Sequence, residues 1–320
     1  MPTIAIGLAR ASISEEHLEA SKYICPDYRI VISTDEDDLK KHLDDIEIAL
    51  AKIPRSLLYD LPKLRWLQQW GAGADWLQQY PELRAKDFII TTASGVHPIQ
   101  ITEHVFALLR SFARQLVRSH EAQRDNKWLK YQHSDVFELE GKTMLIVGVG
   151  AIGERIAKVS RAFGMRVVGT RRHADQESQN VDEMVKTNAI HSVLPEADVI
   201  VLTLPLTEET RNYIAAKELE LMKEDACLIN IGRGGTIDEG ALARVLEQGK
   251  LRGVGLDVFE EEPLAETSPL WAMDRVIITP HYSGLSPRYD ERAMDIFLEN
   301  LRSYQANKPL INVVNKELGY

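Results

Sequence analysis

The chain has 320 residues, 44% of them apolar and 27% charged, which is typical of globular proteins and excludes disordered and fibrous classes. Lys and Arg number 38 against 48 Asp and Glu, so the net charge of −10 argues against a basic nucleic-acid-binding face. No apolar run approaches the roughly 20 residues of a membrane span, and the amino-terminal segment does not resemble a signal peptide. Cys25 and Cys227 alone cannot build a disulfide framework or a zinc site. We expect a cytoplasmic protein that uses no metal and binds neither nucleic acid nor membrane.

The first hundred residues alternate short apolar runs with helix-forming segments. This alternation predicts a mostly parallel sheet with helices on both faces. The predicted strands are Ile4–Ala9, Arg29–Ser33, Ile46–Ala51, Leu64–Gln68 and Phe88–Thr92.

A long helix with an apolar stripe is predicted next, from about Pro98 to His120. His104 lies on this helix and is interpreted as a structural or interfacial residue. The following stretch, Glu121–Glu140, is polar and irregular, which favours a loop or an arm that packs on a partner subunit.

A second alternation begins at Gly141, and its pattern is that of a doubly wound dinucleotide-binding domain. The helix predicted at Pro287–Gln305 is followed by no further strand, so we expect it to return to the first domain. We therefore predict two doubly wound α/β domains of the Rossmann/flavodoxin-like class with a cleft between them: residues 1–97 with 286–320, and residues 98–285. The predicted strands of the second domain are Met144–Val147, Met165–Gly169, Val199–Leu204, Leu228–Ile231, Gly253–Val258 and Val276–Thr279.

A GxGxxG motif formed by Gly148, Gly150 and Gly153 follows an apolar strand and opens a helix, the context in which this motif binds a dinucleotide. Gly148 permits a tight turn, Gly150 lets the backbone approach a pyrophosphate, and Gly153 allows close packing of helix and strand. Ala151 and Ile152 begin the helix, whose amino terminus would face the phosphates. The alternative is a glycine turn that binds nothing.

Arg171 and Arg172 stand after the next strand, where an NAD site would carry an acidic residue. Guanidinium groups match phosphate geometry, so the pair favours a 2′-phosphate and NADP(H) over NAD(H). A solvated basic turn is the alternative, and NAD(H) use stays open.

Three further motifs each place polar residues after an apolar strand, at the edge where open α/β sheets bind ligands. With the glycine motif and the run 204–210, they closely resemble the D-isomer-specific 2-hydroxyacid dehydrogenase family over nearly the whole chain. Within that family, the chain is most similar to NADP-preferring glyoxylate/hydroxypyruvate reductases and broad-specificity 2-ketoacid reductases. The three motifs are Asn230–Gly235, Asp257–Pro263 and Thr279–Gly284.

The resemblance implies a catalytic triad of Arg233, Glu262 and His281. Reduction of a 2-keto acid needs an anchor for the carboxylate and a proton for the developing alkoxide. Arg233 can hold the carboxylate and the carbonyl oxygen. His281 can act as the general acid and, in the reverse direction, as the base, with Glu262 orienting its ring.

The resemblance also implies contacts outside the triad. Asp257 would receive the nicotinamide carboxamide, and further cofactor contacts would come from Leu204, Pro205, Thr210, Ile231, Gly232, Ser283 and Gly284, with Arg233 and His281 beside them. The substrate carboxylate would bind backbone amides of the loop Gly71, Ala72, Gly73 and Ala74, together with Arg233 and His281. Trp70 and Trp271 are candidates for the side-chain pocket, although bulky aromatic residues more often belong to the core.

The expected partners are a small 2-keto or 2-hydroxy acid and a second copy of the chain. The family usually dimerises through its dinucleotide-binding domains, which indicates Pro98–Glu140 as the interface. An alternative is a non-catalytic dinucleotide sensor similar to the C-terminal-binding-protein corepressors, which would bind a dinucleotide without turning over any 2-keto acid.

Overall fold

The computed structural model describes residues 1–172 and 178–317, apart from the side chains of Asp75 and Gln78. The chain divides into two compact units. The amino-terminal unit combines Met1–His97 with the chain from Ser286 onward, and the central unit spans Pro98–Leu285. Each unit contains one parallel sheet between two layers of buried apolar side chains.

The strands in chain order are β1 (Thr3–Gly7), β2 (Arg29–Ile32), β3 (Ile46–Ala51), β4 (Trp66–Gln68), β5 (Ile89–Thr91), β6 (Thr143–Val147), β7 (Arg166–Arg171), β8 (Glu183–Lys186), β9 (Val199–Leu202), β10 (Cys227–Asn230), β11 (Gly253–Leu256) and β12 (Val276–Ile278). The α-helices are α1 (Glu15–Ile24), α2 (Glu36–Lys40), α3 (Pro81–Ala85), α4 (Pro98–Ala113), α5 (Leu116–Arg124), α6 (Ala151–Ala162), α7 (Ala216–Leu221), α8 (Glu239–Glu247) and α9 (Tyr289–Gln305).

The sheet of the amino-terminal unit has the strand order β2-β1-β3-β4-β5, and all of its strand pairs are parallel. Along β1, Ile4 and Ile6 enter one apolar core while Ala5 enters the other. This alternation follows from the two-residue period of a strand. Helix α9 packs against α1 on the first core, where Phe297 stacks on Trp66 with ring centroids 5.4 Å apart.

The sheet of the central unit has the order β12-β11-β10-β9-β6-β7-β8 and is also parallel throughout. Leu145 and Val147 of β6 enter one core, and Met144 and Ile146 enter the other. The chain order reverses between β6 and β9, and open α/β sheets bind ligands at the carboxyl ends beside such a reversal. Together the two sheets confirm the predicted fold class.

The predicted helix from Pro98 to His120 is wrong in one respect, because it is two helices. Gln115 adopts a left-handed conformation with φ of 55°, which ends α4 and turns the chain into α5. Its side chain donates to the carbonyl of Asp135, 2.9 Å away, so contacts distant in sequence stabilise the break. Helix α5 also extends to Arg124, into the stretch predicted to be irregular.

The short strand β8 adds an edge that the hydrophobic pattern did not predict, since only two of its four residues are partly buried. Among the residues that the structure describes, no helix has both the length and the apolar composition needed to cross a bilayer.

Candidate active site

The glycine-rich loop joins β6 to α6 at the carboxyl edge of the central sheet. Gly148 has φ of 100°, and a Cβ there would lie 2.9 Å from Leu204 Cδ2. A Cβ on Gly153 would lie 2.8 Å from the Gly148 carbonyl oxygen, whereas one on Gly150 would meet no atom within 4 Å. The fold therefore requires glycine at two positions, and at Gly150 it leaves open space beside the amino terminus of α6.

Two threonines fix this loop, and neither was predicted from the sequence. The Gly148 N–H donates to Thr170 Oγ1 at 3.1 Å, and the hydroxyl of Thr203 donates to the carbonyls of Val147 and Gly148. Thr170 lies in β7 and Thr203 directly follows β9, so each hydroxyl reaches the loop from a strand adjacent to β6. A hydroxyl residue at the carboxyl end of a neighbouring strand is the signal that could have found them.

The two predicted phosphate-binding arginines lie at the end of β7, and both are paired with carboxylates. Arg171 donates from Nε to the Val149 carbonyl at 2.7 Å and from Nη2 to Glu154 Oε1 at 3.0 Å. Arg172 lies 3.1 Å from Glu209, and both of these side chains are exposed. Neither acidic partner was identified from the sequence. A carboxylate beside each guanidinium weakens its attraction for a phosphate.

The turn after β10 presents Arg233. Asn230 Nδ2 and the Thr236 hydroxyl donate to the Arg233 carbonyl at 3.0 and 2.6 Å, which fixes the backbone of the turn. A Cβ on Gly234 would lie 1.8 Å from the carbonyl carbon of Phe259, so only glycine fits this close approach. The Arg233 side chain donates from Nη1 to the Gly232 carbonyl at 2.8 Å.

Glu262 and His281 form a hydrogen-bonded pair in the turns that follow the next two strands. His281 Nδ1 lies 2.7 Å from Glu262 Oε2, and Glu262 Oε1 accepts the Phe259 N–H at 3.0 Å. The carboxylate is therefore fixed at one oxygen and orients the imidazole with the other. The side chains of His281 and Glu262 are 49% and 37% exposed, so the ring is accessible to solvent. Because β10, β11 and β12 are adjacent and parallel, the turns that carry Arg233, Glu262 and His281 leave the same edge of the sheet.

Asp257 is fully buried and holds the turn that carries His281. Its Oδ1 accepts the Thr279 hydroxyl at 2.6 Å and the Tyr282 N–H at 3.1 Å, and its Oδ2 accepts the Ser283 N–H at 3.1 Å. His281 adopts a left-handed φ of 50°. For a non-glycine residue this backbone conformation is strained and needs support from its surroundings.

His104 extends this network from α4. Its Nε2 lies 3.1 Å from the Thr279 hydroxyl oxygen and 3.7 Å from Asp257 Oδ1. Because that hydroxyl donates its hydrogen bond to the carboxylate, its oxygen accepts a hydrogen bond from the Nε2–H of His104. Burial lowers the pKa of His104, although the charge of Asp257 opposes the shift. His104 is thus structural as expected, but it acts on the His281 turn, and the sequence offered no signal for that connection.

The other predicted cofactor residues lie on the same edge of the central sheet. Leu204 and Ile231 are nearly buried, at 8% and 5% exposed. Thr210 accepts from the Thr207 N–H at 2.8 Å and donates to the Pro205 carbonyl at 2.7 Å, which closes the loop after β9. Gln100 donates to the Gly284 carbonyl at 3.0 Å beside buried Ser283.

In the amino-terminal unit, the loop Gly71–Ala74 follows β4. The Ala93 N–H donates to the Gly71 carbonyl, and the Tyr289 hydroxyl donates to the Trp70 carbonyl, at 3.1 and 2.7 Å. Trp70 is only 7% exposed and its Nε1 donates to Asp290, so it packs as a core residue at the start of the loop. Trp271 belongs to the central unit, is 55% exposed and donates to the Ala265 carbonyl.

The carboxyl edge of the sheet in the central unit has groups suited to binding a dinucleotide. The open space at Gly150 adjoins a helix amino terminus without a side-chain cap, where an anion gains from free N–H groups and the helix dipole. Beyond it lie the two arginines on one side and the His281–Glu262 pair on the other.

Comparisons with known proteins agree with this geometry. The family model for the NAD binding domain of D-isomer specific 2-hydroxyacid dehydrogenases matches residues 106–283. The glyoxylate reductase of Aeropyrum pernix is 33% identical over 305 residues, which cover 93% of this chain and 89% of that protein.

Two solved structures are similar over essentially the whole chain. A D-isomer specific 2-hydroxyacid dehydrogenase family protein from Aeromonas salmonicida has a TM-score of 0.84 at 32% identity, covering 98% of this chain and 99% of that chain. The NADPH-dependent glyoxylate/hydroxypyruvate reductase of Sinorhizobium meliloti, in complex with NADP and sulfate, has a TM-score of 0.83 at 26% identity and covers 100% of both chains.

Proposed function

The chain belongs to the D-isomer-specific 2-hydroxyacid dehydrogenase family, which makes it an oxidoreductase, and we propose that it reduces 2-keto acids to (R)-2-hydroxy acids with NADPH and catalyses the reverse oxidation. The observation that carries the proposal is the 2.7 Å contact between His281 Nδ1 and Glu262. A ring that is paired at Nδ1 keeps Nε2 for proton exchange with a substrate oxygen.

His281 is the general acid of the reduction. Protonated at Nε2, it gives its proton to the oxygen of the carbonyl as that oxygen gains negative charge. Glu262 fixes the orientation of the ring, since its other oxygen is held by the Phe259 N–H. In the oxidation, neutral His281 removes the proton of the hydroxyl group.

Arg233 anchors the substrate carboxylate and polarises the carbonyl oxygen. Asn230 and Thr236 donate hydrogen bonds to its backbone carbonyl, so the Arg233 side chain leaves the backbone at a fixed position. Backbone amides of the loop Gly71–Ala74 also bind the carboxylate, because glycine-rich backbone can approach an anion closely.

Gly148, Gly150 and Gly153 bind the pyrophosphate of the cofactor, and Arg171 and Arg172 bind the 2′-phosphate of NADP(H). The bound dinucleotide supplies the hydride. The solved reductase from Sinorhizobium meliloti, which holds NADP, supports this choice. The carboxylates of Glu154 and Glu209 beside the two arginines favour a partial rather than absolute preference, with NAD(H) as the second cofactor.

Each of the two units binds a different reactant. The central unit, residues 98–285, binds the dinucleotide, and the unit formed by residues 1–97 and 286–320 binds the substrate. The match of the family's NAD binding domain to residues 106–283 supports this division.

A homodimer through Pro98–Glu140 is part of the proposal. Three large apolar side chains in this segment are exposed: Leu116 at 53%, Val117 at 42% and Trp128 at 94%. Apolar surface of this kind favours burial against a partner. Light scattering on the purified protein tests the assignment, and a monomer at micromolar concentration would refute it.

Initial rates of NADPH and NADH oxidation test the activity. Each cofactor is paired with glyoxylate, hydroxypyruvate, pyruvate, 2-ketoisocaproate and phenylpyruvate. We expect turnover with a 2-keto acid and higher kcat/KM for NADPH. Binding of a dinucleotide without turnover of any acid would instead support the non-catalytic sensor.

The role of His281 is tested by His281→Asn, which keeps a polar side chain but no proton-transfer group of suitable pKa. We expect kcat to fall by about 100-fold or more, the usual contribution of general acid catalysis. NADPH affinity, measured by fluorescence titration, should stay within about threefold of the original. Full turnover in this variant would exclude His281 as the acid.

A further inference from the structure

Two turns of the central unit carry proposed catalytic residues and lie against each other. The anchor turn, residues 233–239, begins with the proposed substrate anchor and ends at the first residue of α8. The carboxylate turn, residues 259–262, ends with the glutamate that orients the imidazole. The two turns touch directly, because a Cβ on Gly234 would lie 1.8 Å from the carbonyl carbon of Phe259.

Two glutamates connect the same turns at a second point. The Glu260 N–H donates to Glu239 Oε1 at 2.6 Å, and the Glu239 N–H donates to Glu260 Oε1 at 3.1 Å. Each carboxylate therefore accepts the backbone N–H of the other residue. Hydrogen bonds from an N–H to an ionised carboxylate are roughly twice as strong as those between neutral groups. Together with the contact between Gly234 and Phe259, this reciprocal pair fixes the carboxylate turn against the anchor turn.

The reciprocal pair is linked to the proposed general acid through a few atoms of the carboxylate turn. Glu262 Oε1 accepts the Phe259 N–H at 3.0 Å, and Glu260 lies between these two residues in the chain. A shift of the backbone at Glu260 would therefore move Glu262, and with it the oxygen that lies 2.7 Å from His281 Nδ1. Catalytic groups need to be held within about 0.5 Å of their productive geometry, so such a shift would affect the reaction.

Helix α8 has a cap that does not involve the Glu239 side chain. Its N-cap residue is Asp238, whose side chain accepts the Ala241 N–H at 2.8 Å. Burial raises the pKa of Glu239, and the charges of Glu260 and Glu262 add to the shift, while the hydrogen bond from the Glu260 N–H opposes it. The ionised carboxylate is therefore unfavourable for folding at this position, and groups with a pKa shifted in this way cluster at functional sites.

We propose that Glu239 is a positioning residue for the reaction, which holds the carboxylate turn and Glu262 in place against the anchor turn. The inference rests on the proposed function, in which Arg233 anchors the substrate and Glu262 orients His281. Glu239 acts through the backbone N–H of Glu260. The property that this role requires is an acceptor oxygen, and a negative charge is not needed.

Glu239→Ala and Glu239→Gln separate the acceptor from the charge. Alanine removes the acceptor of the Glu260 N–H, so kcat with NADPH and the fastest of the five 2-keto acids should fall by about threefold to tenfold, the usual effect of losing one hydrogen bond. The KM for the acid should stay within about twofold, because Asn230 and Thr236 hold the Arg233 backbone separately. Glutamine keeps an acceptor oxygen and should restore most of the kcat.

Hydrogen exchange followed by mass spectrometry reports on the carboxylate turn without any turnover. In Glu239→Ala the Glu260 N–H has lost its acceptor, so residues 258–262 should exchange about fivefold faster or more, and in Glu239→Gln they should exchange as in the unmodified protein. Glu247→Ala is the matched control, because it removes an exposed glutamate at the other end of α8. It should change neither kcat nor the exchange of residues 258–262.

An alanine variant with unchanged kcat would refute the positioning role, and so would a loss of kcat that glutamine does not restore. A fall in kcat together with an equal rise in the KM for the acid would assign Glu239 to the general structure of the site. Unchanged exchange of residues 258–262 in Glu239→Ala would show that the carboxylate does not hold the turn. None of these results affects the proposed function, which fails separately if the unmodified protein turns over no 2-keto acid with either nucleotide.

Discussion

Thr279→Val tests whether the buried network behind His281 controls catalysis. Valine has nearly the same shape as threonine, so the change removes the hydroxyl with little effect on packing volume. The two short contacts of this hydroxyl disappear with it: the 2.6 Å hydrogen bond to Asp257 and the 3.1 Å contact with His104 Nε2. Among the described residues, Asp257 then keeps its two backbone donors from the turn and stays fully buried.

The magnitude follows from these two contacts. A hydrogen bond to a charged group contributes about 1.5–3 kcal/mol, and a neutral one contributes about 0.5–1.5 kcal/mol. Their sum predicts that Thr279→Val lowers the free energy of unfolding by about 2–4.5 kcal/mol. Part of this loss falls on the turn that holds His281 in its left-handed conformation. A loss of about 2 kcal/mol in the turn corresponds to a decrease in kcat of about 30-fold.

Urea unfolding and steady-state kinetics measure the two effects, and Thr279→Ser is the control. Serine keeps the hydroxyl and loses only a methyl group, so it should retain most of the kcat that valine loses. The KM for 2-keto acid should change less than kcat, because neither Arg233 nor the loop Gly71–Ala74 contacts Thr279 through any hydrogen bond that the structure describes. A valine variant as stable and active as the serine variant would show that the Thr279 hydroxyl does not support the His281 turn.

Three further predictions concern single groups. Glu154→Gln removes the carboxylate beside Arg171, so the ratio of kcat/KM for NADPH over NADH should rise by about twofold to fivefold; an unchanged ratio would show that this carboxylate does not weaken phosphate binding. Gly153→Ala should destabilise the free protein by about 1–3 kcal/mol through overpacking, whereas Gly150→Ala should fold normally and bind dinucleotide more weakly; a stable Gly153→Ala variant in urea unfolding would contradict the packing argument. Because burial lowers the pKa of His104, the unfolded chain takes up a proton on this ring that the folded chain does not, and stability should fall as pH drops through about 6.5 towards the folded pKa. His104→Gln should reduce the dependence of the unfolding free energy on pH between about pH 7.5 and 5.5. An unchanged dependence would exclude His104 as its source.

The sequence predicted the sheets well because their signal is local. Buried parallel strands are continuous apolar runs, and β3 has the predicted bounds of Ile46–Ala51. The glycine loop was predictable for a similar reason, since Gly148 and Gly153 meet steric demands set by a strand-turn-helix unit. Where a short segment determines its own conformation, periodicity and residue type are sufficient.

The missed features depend on contacts between distant segments. The break at Gln115 lies within an unbroken apolar stripe, and the carbonyl of Asp135 stabilises it from beyond α5. The pairing of Arg171 with Glu154 joins the end of β7 to the first turn of α6. Two charged residues in sequence give no indication of their distance in space, so the arginines were identified and their acidic partners were not.

Asp257 holds the turn that carries His281, and its contact with the cofactor is an expectation from the family resemblance. The resemblance assigned it to the nicotinamide carboxamide, yet Thr279, Tyr282 and Ser283 already donate to its oxygens. A carboxylate has about four acceptor positions, so one remains, and because Asp257 is fully buried a further donor reaches it only if the turn opens. A cofactor amide that occupied this position would complete the same hydrogen-bond network that holds the His281 turn. Cofactor binding would then stabilise the turn that positions His281. Replacement of Asp257 would remove this stabilisation.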